Sequence, residues 1–245
     1  MNHIVLLFAL FFVLSIAVPA IVRSFRGGPR ARARSIVDYV QRRGYVLVNP
    51  AVAQALDASR LEMARNPALR QLIKASADIS DIEGLERGTE DWLAFTCPAG
   101  GKEATVFNFS VSSQRADTVG GRIRYKVAKI RASGLPRFSL ARNSAVHAVR
   151  AVVDMVVGAP KSDIKLDPAA YPEFSAHYWL KGSDREAVMQ FLSPAKMRFI
   201  EAAKLEGIVA TNAHYLVYFE DGVLGSETDF DSFIRKIEQL AANLL

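Results

Sequence analysis

Trp92-Leu-Ala-Phe-Thr-Cys-Pro-Ala-Gly-Gly-Lys-Glu-Ala-Thr-Val-Phe-Asn-Phe-Ser-Val111 decides the fold class. Trp92, Ala94 and Thr96 alternate with Leu93, Phe95 and Cys97, the period of two that belongs to a strand. Pro98-Ala-Gly-Gly101 then makes a turn. In the run that follows, Phe107, Phe109 and Val111 share one buried face while Val106 takes the other. Two such runs on either side of a short glycine-rich turn read as a β-hairpin. Ile123, Tyr125 and Val127, alternating with Lys126 and Ala128 as far as Ile130, extend it to a third antiparallel strand.

Toward the N-terminus the period changes to 3.6. Ile36, Val37 and Val40 repeat at helical spacing up to Gly44, and Tyr45 to Val48 is a short apolar strand closed by Asn49-Pro50. Two further helices are expected at Ala51 to Arg65 and Pro67 to Ala75. Pro67 opens the second in its first turn, where a missing N–H does no harm.

Toward the C-terminus, Leu135-Pro-Arg-Phe-Ser-Leu140 and Tyr171-Pro-Glu-Phe-Ser-Ala176 share Pro-x-Phe-Ser, and each precedes a helical stretch, Ser144 to Val157 and Asp184 to Leu205. Proline before an aromatic residue suits the start of an edge strand. Two halves built on one plan would explain this echo, and so would coincidence. Ser183 with Glu186 reads as a capping box, Ser193-Pro194 as a restart of the helix and Gly207 as its end. Strands follow at Ile208 to Thr211 and Tyr215 to Phe219, then the acidic turn Glu220-Asp-Gly222. A closing helix from Asp229 places Phe230, Phe233, Ile234, Ile237, Leu240 and Leu244 on one stripe, to pack on the sheet or to take a partner helix. The fold class is therefore α+β, a mainly antiparallel sheet with flanking helices and a C-terminal amphipathic helix.

This domain, residues 35–245, follows two other segments. Ile4 to Val22 carries no charge, and its polar content is Ser15. At 1.5 Å per residue these ~19 residues make roughly 28 Å of helix, close to the ~30 Å hydrocarbon core of a bilayer. Residues 1–22 are thus expected to be a transmembrane anchor. The competing reading is a cleaved secretory signal, for which Ala17-Val18-Pro19-Ala20 offers small residues, although such signals normally begin with Lys or Arg. The basic residues instead follow the apolar run, as Arg23, Arg26, Arg30, Arg32 and Arg34 in a juxtamembrane arm, residues 23–34. The positive-inside tendency then places the domain in the cytoplasm, on the inner membrane of a bacterium. The arm either binds anionic lipid headgroups or only fixes topology, and Arg42 and Arg43 extend its charge into the next helix.

Charge argues against nucleic acid as a partner. The chain has 31 Lys+Arg against 25 Asp+Glu, a net charge of +6, yet five of those bases lie before Ser35 with no acid among them. The domain is left with 26 against 25, or +1, and has no basic excess to face phosphates. The partners expected are the bilayer and a membrane-associated protein.

The chemistry-bearing motifs are few. Gly100-Gly101-Lys102-Glu103 lacks the spacing and the Ser/Thr of a phosphate loop, and no nucleophile elbow or His-Glu-x-x-His occurs. Cys97 has no neighbouring His, Lys or second Cys to activate it and reads as a small residue closing a turn. His147 lies on a helix, whereas His177 and His214 lie in the strand candidates Ala176 to Leu180 and Ala213 to Tyr218 and could approach across a sheet. A metal site would need a third ligand from Asp163, Asp167 or Glu173, and none is expected, nor any cofactor. Asp78, Asp81, Glu83 and Glu86 match no calcium loop and read as a solvated face. Tyr178, Trp179, Tyr215 and Tyr218 read as sheet packing rather than a ligand cage.

The N-terminal span, the Leu-Pro-Arg-Phe-Ser-Leu140 run and Tyr171-Pro-Glu-Phe-Ser-Ala-His-Tyr-Trp-Leu-Lys-Gly-Ser-Asp-Arg-Glu186, with the closing strand and helix, resemble membrane-anchored bacterial proteins with no assigned activity. The likeness covers roughly the last half of the chain. The function expected is a membrane-tethered, noncatalytic binding or scaffold module. The alternative is a membrane-proximal enzyme whose site assembles from distant polar residues such as His177, His214 and Glu173.

Overall fold

Helix α1 (Pro29–Arg43) begins inside the basic arm, so that Arg30, Arg32 and Arg34 lie on its first turns. It ends on Gly44, whose φ of 67° lets Gly44 N donate to Gln41 O at 3.2 Å and Tyr45 N to Val40 O at 2.9 Å. This is the Schellman closure, with glycine in its left-handed position. The computed structural model describes residues 29–48, 94–112, 122–143, 162–212 and 214–245. After α1 come the short strand β1 (Val46–Leu47), then β2 (Ala94–Ala99), β3 (Lys102–Ser112), β4 (Arg122–Arg131) and β5 (Phe138–Arg142). Helix α2 (Pro172–His177) leads directly into β6 (Tyr178–Gly182), followed by α3 (Arg185–Phe191) and α4 (Pro194–Ala202). The chain closes with β7 (Gly207–Asn212), β8 (Tyr215–Asp221) and α5 (Glu227–Leu244).

The quoted hairpin forms as its residues require. Ala99 pairs with Lys102 across a two-residue turn in which Gly100 and Gly101 take φ of 56° and 78°, the double positive φ that matches strand twist. Its tip is seated on α5, since a Cβ on Gly100 would lie 3.1 Å from Ala241 Cβ. All eight strands join one antiparallel sheet in the order β1-β2-β3-β4-β8-β7-β5-β6. One row of side chains crosses it from edge to edge: Leu47, Phe95, Val106, Ala128, Tyr218, Ile208, Leu140 and Leu180. These residues pack with the helices in a single core cluster.

Helix α5 lays Phe230, Phe233, Ile234, Ile237, Leu240 and Leu244 on that face, all buried, so its stripe belongs to the core. Ser226 caps it reciprocally with Asp229, four residues before the apolar pattern begins at Phe230. Helix α1 joins the same layer through Ile36, Tyr39 and Val40. The Tyr39 ring stacks on Phe230 at 4.5 Å, and its hydroxyl donates to Asp231 at 2.9 Å. Arg42 meets Glu227 at 2.9 Å and Arg43 meets Asp231 at 2.6 Å, so these two charges are spent on α5 rather than extending the arm.

Several local expectations change. Alternation in β3 implied that Phe107 and Phe109 share the one buried face, and each is 1% exposed, but Val106, Ala128, Tyr218 and Ile208 on the opposite face are fully buried too, so the sheet is buried on both. The unbroken apolar run of β8 is the pattern such a strand carries. The Pro-x-Phe-Ser echo dissolves: Phe138-Ser139 lies in β5, interior between β7 and β6 rather than at an edge, whereas Pro172 to Ser175 is helical. Asp184, not Ser183, caps α3, accepting from Glu186 N and Ala187 N. Helix α4 ends at Ala202, and Gly207 opens β7. Glu220 belongs to β8 rather than to a turn.

Among the described residues no helix is long and apolar enough to cross a membrane. The run Ile4 to Val22, Arg23 and Arg26, the helices expected at 51–65, 67–75 and 144–157, His147 and the acidic run 78–86 lie outside the described residues.

Candidate functional site

The sheet end that carries Arg142 is where polar side chains gather. Arg142 closes β5 opposite Tyr178, the first residue of β6. Just before Tyr178, the chain makes the six-residue helix α2, opened by Pro172 and preceded by a turn in which Asp167 accepts from Ala169 N at 2.9 Å. Phe174 is buried beneath α2 and stacks on Tyr178 at 4.8 Å, while Asn143 Nδ2 donates to Ala176 O at 2.7 Å and ties the helix end to β5. On the far side stands α4, whose Ile200 O accepts the Tyr178 hydroxyl at 3.1 Å. Burial pushes that hydroxyl up to about 12; the Arg142 charge opposes the shift and the Glu201 charge adds to it.

A groove of two adjoining lobes runs between α2 and α4. One, of about 320 Å³, is lined by Arg142, Glu173, His177, Tyr178, Glu201 and Lys204. The other, of about 370 Å³, includes Tyr171, Phe174, Met197 and Arg198. Glu173 and Glu201 line both. Glu201 Oε1 is shut off from solvent and has no hydrogen-bond partner. Leaving such an acceptor unsatisfied costs about 1–3 kcal/mol, more when it is charged. Among the described residues Arg142, Arg198 and Lys204 pair with no carboxylate.

Lys204 is held in an unusual way. Helix α4 ends with Lys204 N donating to Glu201 O at 3.0 Å and Leu205 N to Ile200 O at 3.2 Å, the same closure that Gly44 gives α1. Here the left-handed position, φ 50°, is filled by lysine, and no other described non-glycine residue has positive φ. A side chain there is disfavoured by roughly 1–2 kcal/mol.

The residues singled out from sequence are only partly brought together. Glu173 and His177 are one helical turn apart on α2, with Oε2 and Nδ1 separated by 3.9 Å. Both are exposed at the groove rim, where an ion contact contributes little. His177 ends a helix rather than lying in a strand. His214 lies in the turn before β8, its carbonyl accepting from Ala132 N at 2.8 Å. That turn is at the far end of β7 from Arg142, roughly 17 Å of strand away. Asp163 is bridged to Lys181 at the β6 edge, and among the described residues no three of His, Cys, Asp and Glu are grouped to hold a metal ion. Cys97 faces the core from within β2, and burial pushes its thiol up to about 12. Of the arm, Arg34 is exposed.

Sequence reasoning missed Arg142, Glu201 and Lys204, which come from three elements and form no motif. A lysine after a helix, where glycine is favoured, was the available signal. It also missed a second polar cluster beneath α5. Glu220 there meets Lys236 at 2.6 Å and Lys126 at 3.2 Å and accepts from the Tyr218 hydroxyl at 2.8 Å. Burial would raise its pKa, but the hydrogen bonds from Lys236 and Tyr218 and the lysine charges override this and hold the carboxyl below its usual range. Both oxygens are served, so this cluster braces the fold. Comparison of the chain with protein-family models, curated proteins and solved structures returns no match.

Proposed function

We propose that this chain is a noncatalytic binding or scaffold module, tethered by Ile4 to Val22 to the inner face of a bacterial membrane with its domain in the cytoplasm, and that the groove between α2 and α4 is its receiving surface. The observation that carries the reading is where α1 begins. Six residues, 23–28, separate the apolar run from Pro29, and α1 is part of the core through Ile36, Tyr39 and Val40. Fully extended, six residues span roughly 20 Å. A domain joined in this way stays within about that distance of the bilayer, in reach of membrane-associated partners, and the Arg34 end of α1 faces the headgroups. The resemblance to membrane-anchored bacterial proteins points the same way.

The test is made on membranes from cells expressing the full chain. Expected are retention through an alkaline wash, a reporter at Leu245 that is active only in the cytoplasm, and recovery of a stoichiometric membrane partner that declines when a long flexible spacer is inserted after Gly28. Release by the wash, or a reporter accessible from the periplasm, would overturn the reading.

A further inference from the structure

We infer that the second face of the sheet, opposite the described helices, is the docking surface for the chain's own residues 144–157, which cross it as an apolar helix over β5 and β7. The inference concerns how the domain closes on itself and does not rest on the binding-module reading.

That face is shut, yet no described helix lies on it. Ser139, Ala141, Val209, Val217 and Phe219 point to it and are each at most 1% exposed. None of them belongs to the core cluster, to which all five helices contribute. Ser139 Oγ is buried with no hydrogen-bond partner, so whatever covers β5 offers it no polar group. The cover is apolar.

Topology says which part of the chain supplies it. β6 pairs antiparallel with β5 on one side and, through the bridge of Asp163 to Lys181, with residues 162–164 on the other. There Gly182 N donates to Ser162 O at 3.0 Å and Ile164 N to Leu180 O at 2.9 Å. Residues 162–164 therefore run parallel to β5. The chain between them, 144–161, is a parallel crossover, a connection of a dozen or more residues that is usually a helix.

The hand of that crossover fixes its face. Seen from the core side with β5 rising, Phe138, Leu140 and Arg142 face the viewer. An L-residue so placed turns its N–H and C=O to the right, and Arg142 N donates to Glu206 O, just before β7. β7 thus stands to the right, with β6 and then residues 162–164 to the left. A connection that moves left in this view is right-handed only if it passes behind the sheet. About 98% of such connections are right-handed, which sends 144–161 across the second face. The front is taken in any case, since a Cβ on Gly182 would lie 2.9 Å from Val188 Cγ2 of α3.

The segment has the sequence for this place. Ala145, Val149, Val152 and Val156 recur on one stripe at helical spacing, while Ser144, His147, Arg150 and Asp154 fall on a narrow stripe opposite. Gly158 and Pro160 then stop the pattern. A helix over 144–157 measures roughly 21 Å, enough to run the length of β5 and leave 158–161 to return the chain to Ser162. Beneath it Ser139, Ala141 and Gly207 are small and let valine side chains approach the sheet.

The experiment is disulfide trapping in the full chain in nonionic detergent, on a Cys97→Ala background. Val209→Cys or Val217→Cys on the sheet is combined with Val149→Cys, Val152→Cys or Val156→Cys on the apolar stripe, and with His147→Cys or Arg150→Cys on the polar one. Oxidation by copper phenanthroline is read on nonreducing gels, and thermal melts identify the variants that fold. Expected is an intramolecular bond from at least one apolar-stripe pair and from neither polar-stripe position, since a bond forms only where the two Cα atoms lie within about 7 Å. A disulfide dimer in place of the internal bond would show a second copy on the face and overturn the proposal. So would equal trapping of both stripes, or no bond from any folded apolar-stripe pair. In that last case rapid maleimide labelling of Ser139→Cys in detergent would point to lipid or a lost partner as the cover.

Discussion

Removing the Tyr39 side chain tests whether α1 is structurally part of the domain, on which the short tether depends. Tyr39 is 1% exposed; its ring stacks on Phe230 at 4.5 Å and makes edge contacts with Tyr45 at 6.1 Å and Phe95 at 6.4 Å. Tyr39→Ala opens a hole among three aromatic rings and withdraws the donor from Asp231, so by analogy with other buried aromatic truncations it should cost about 3–5 kcal/mol. Tyr39→Phe keeps the rings and loses only the hydroxyl, a change of about 1 kcal/mol, because Asp231 retains Arg43 at 2.6 Å. Urea unfolding of the full chain in micelles, followed by intrinsic fluorescence, separates the two. With an m-value of about 2–3 kcal/mol/M, the alanine variant should unfold roughly 1.5 M earlier. Trypsin should also cut it faster after Arg42 and Arg43. If Tyr39→Ala unfolds with wild-type stability, α1 is not part of the core and the close tether is refuted.

Gly182→Ala places a Cβ 2.5 Å from Ile164 Cδ1 and 2.9 Å from Val188 Cγ2 and should destabilise by about 1–3 kcal/mol. Ile164→Val deletes the nearer atom and should recover part of the loss in the double variant; a purely additive melt would show that the crowding is not real. Cys97, 3% exposed with its thiol pushed up to about 12, should resist iodoacetamide at pH 8 and react once urea is added, whereas rapid native labelling would contradict its place in the core. Burial holds the Glu206 carboxyl above its usual range, even though it accepts from Asp221 N at 2.7 Å, and the charges of Glu220 and Asp221 add to the shift. Because the folded state then binds the proton more tightly than the unfolded one, Glu206 lowers stability as pH rises through its raised pKa. Glu206→Gln should accordingly melt higher than wild type at pH 8 and match it at pH 3.5; parity at both pH values would exclude the effect.

What could be read from sequence was local. The hairpin around Gly100-Gly101, the third strand to Ile130 and the stripe of α5 each lie within one contiguous stretch whose period is its own signature. Strand order was not legible, because β8 pairs with β4 across about ninety residues and β7 pairs with β5 across about seventy. The Pro-x-Phe-Ser repeat misled because four residues do not decide between helix and strand. At Tyr171 the outcome is set by Asp167 folding a turn beneath Pro172 and by Phe174 stacking on Tyr178. The groove was equally hidden. Arg142, Glu201 and Lys204 are ordinary surface residue types, and their meaning comes from tertiary neighbours and from one dihedral angle at Lys204.

The place of the final hairpin bears on how the protein must be made. β7 and β8 are the last strands synthesised, yet they occupy the middle of the sheet and hold β4 on one side and β5 on the other. Until Asp221 has emerged from the ribosome, β4 and β5 each present an unpaired edge, and the buried rows of both half-sheets lack their central partners. A chain truncated anywhere before Gly207 therefore offers open edges of the kind that recruit neighbouring strands. If the proposed tether also crowds such products side by side, a nonsense mutation ahead of Gly207 should yield aggregates rather than a smaller working domain.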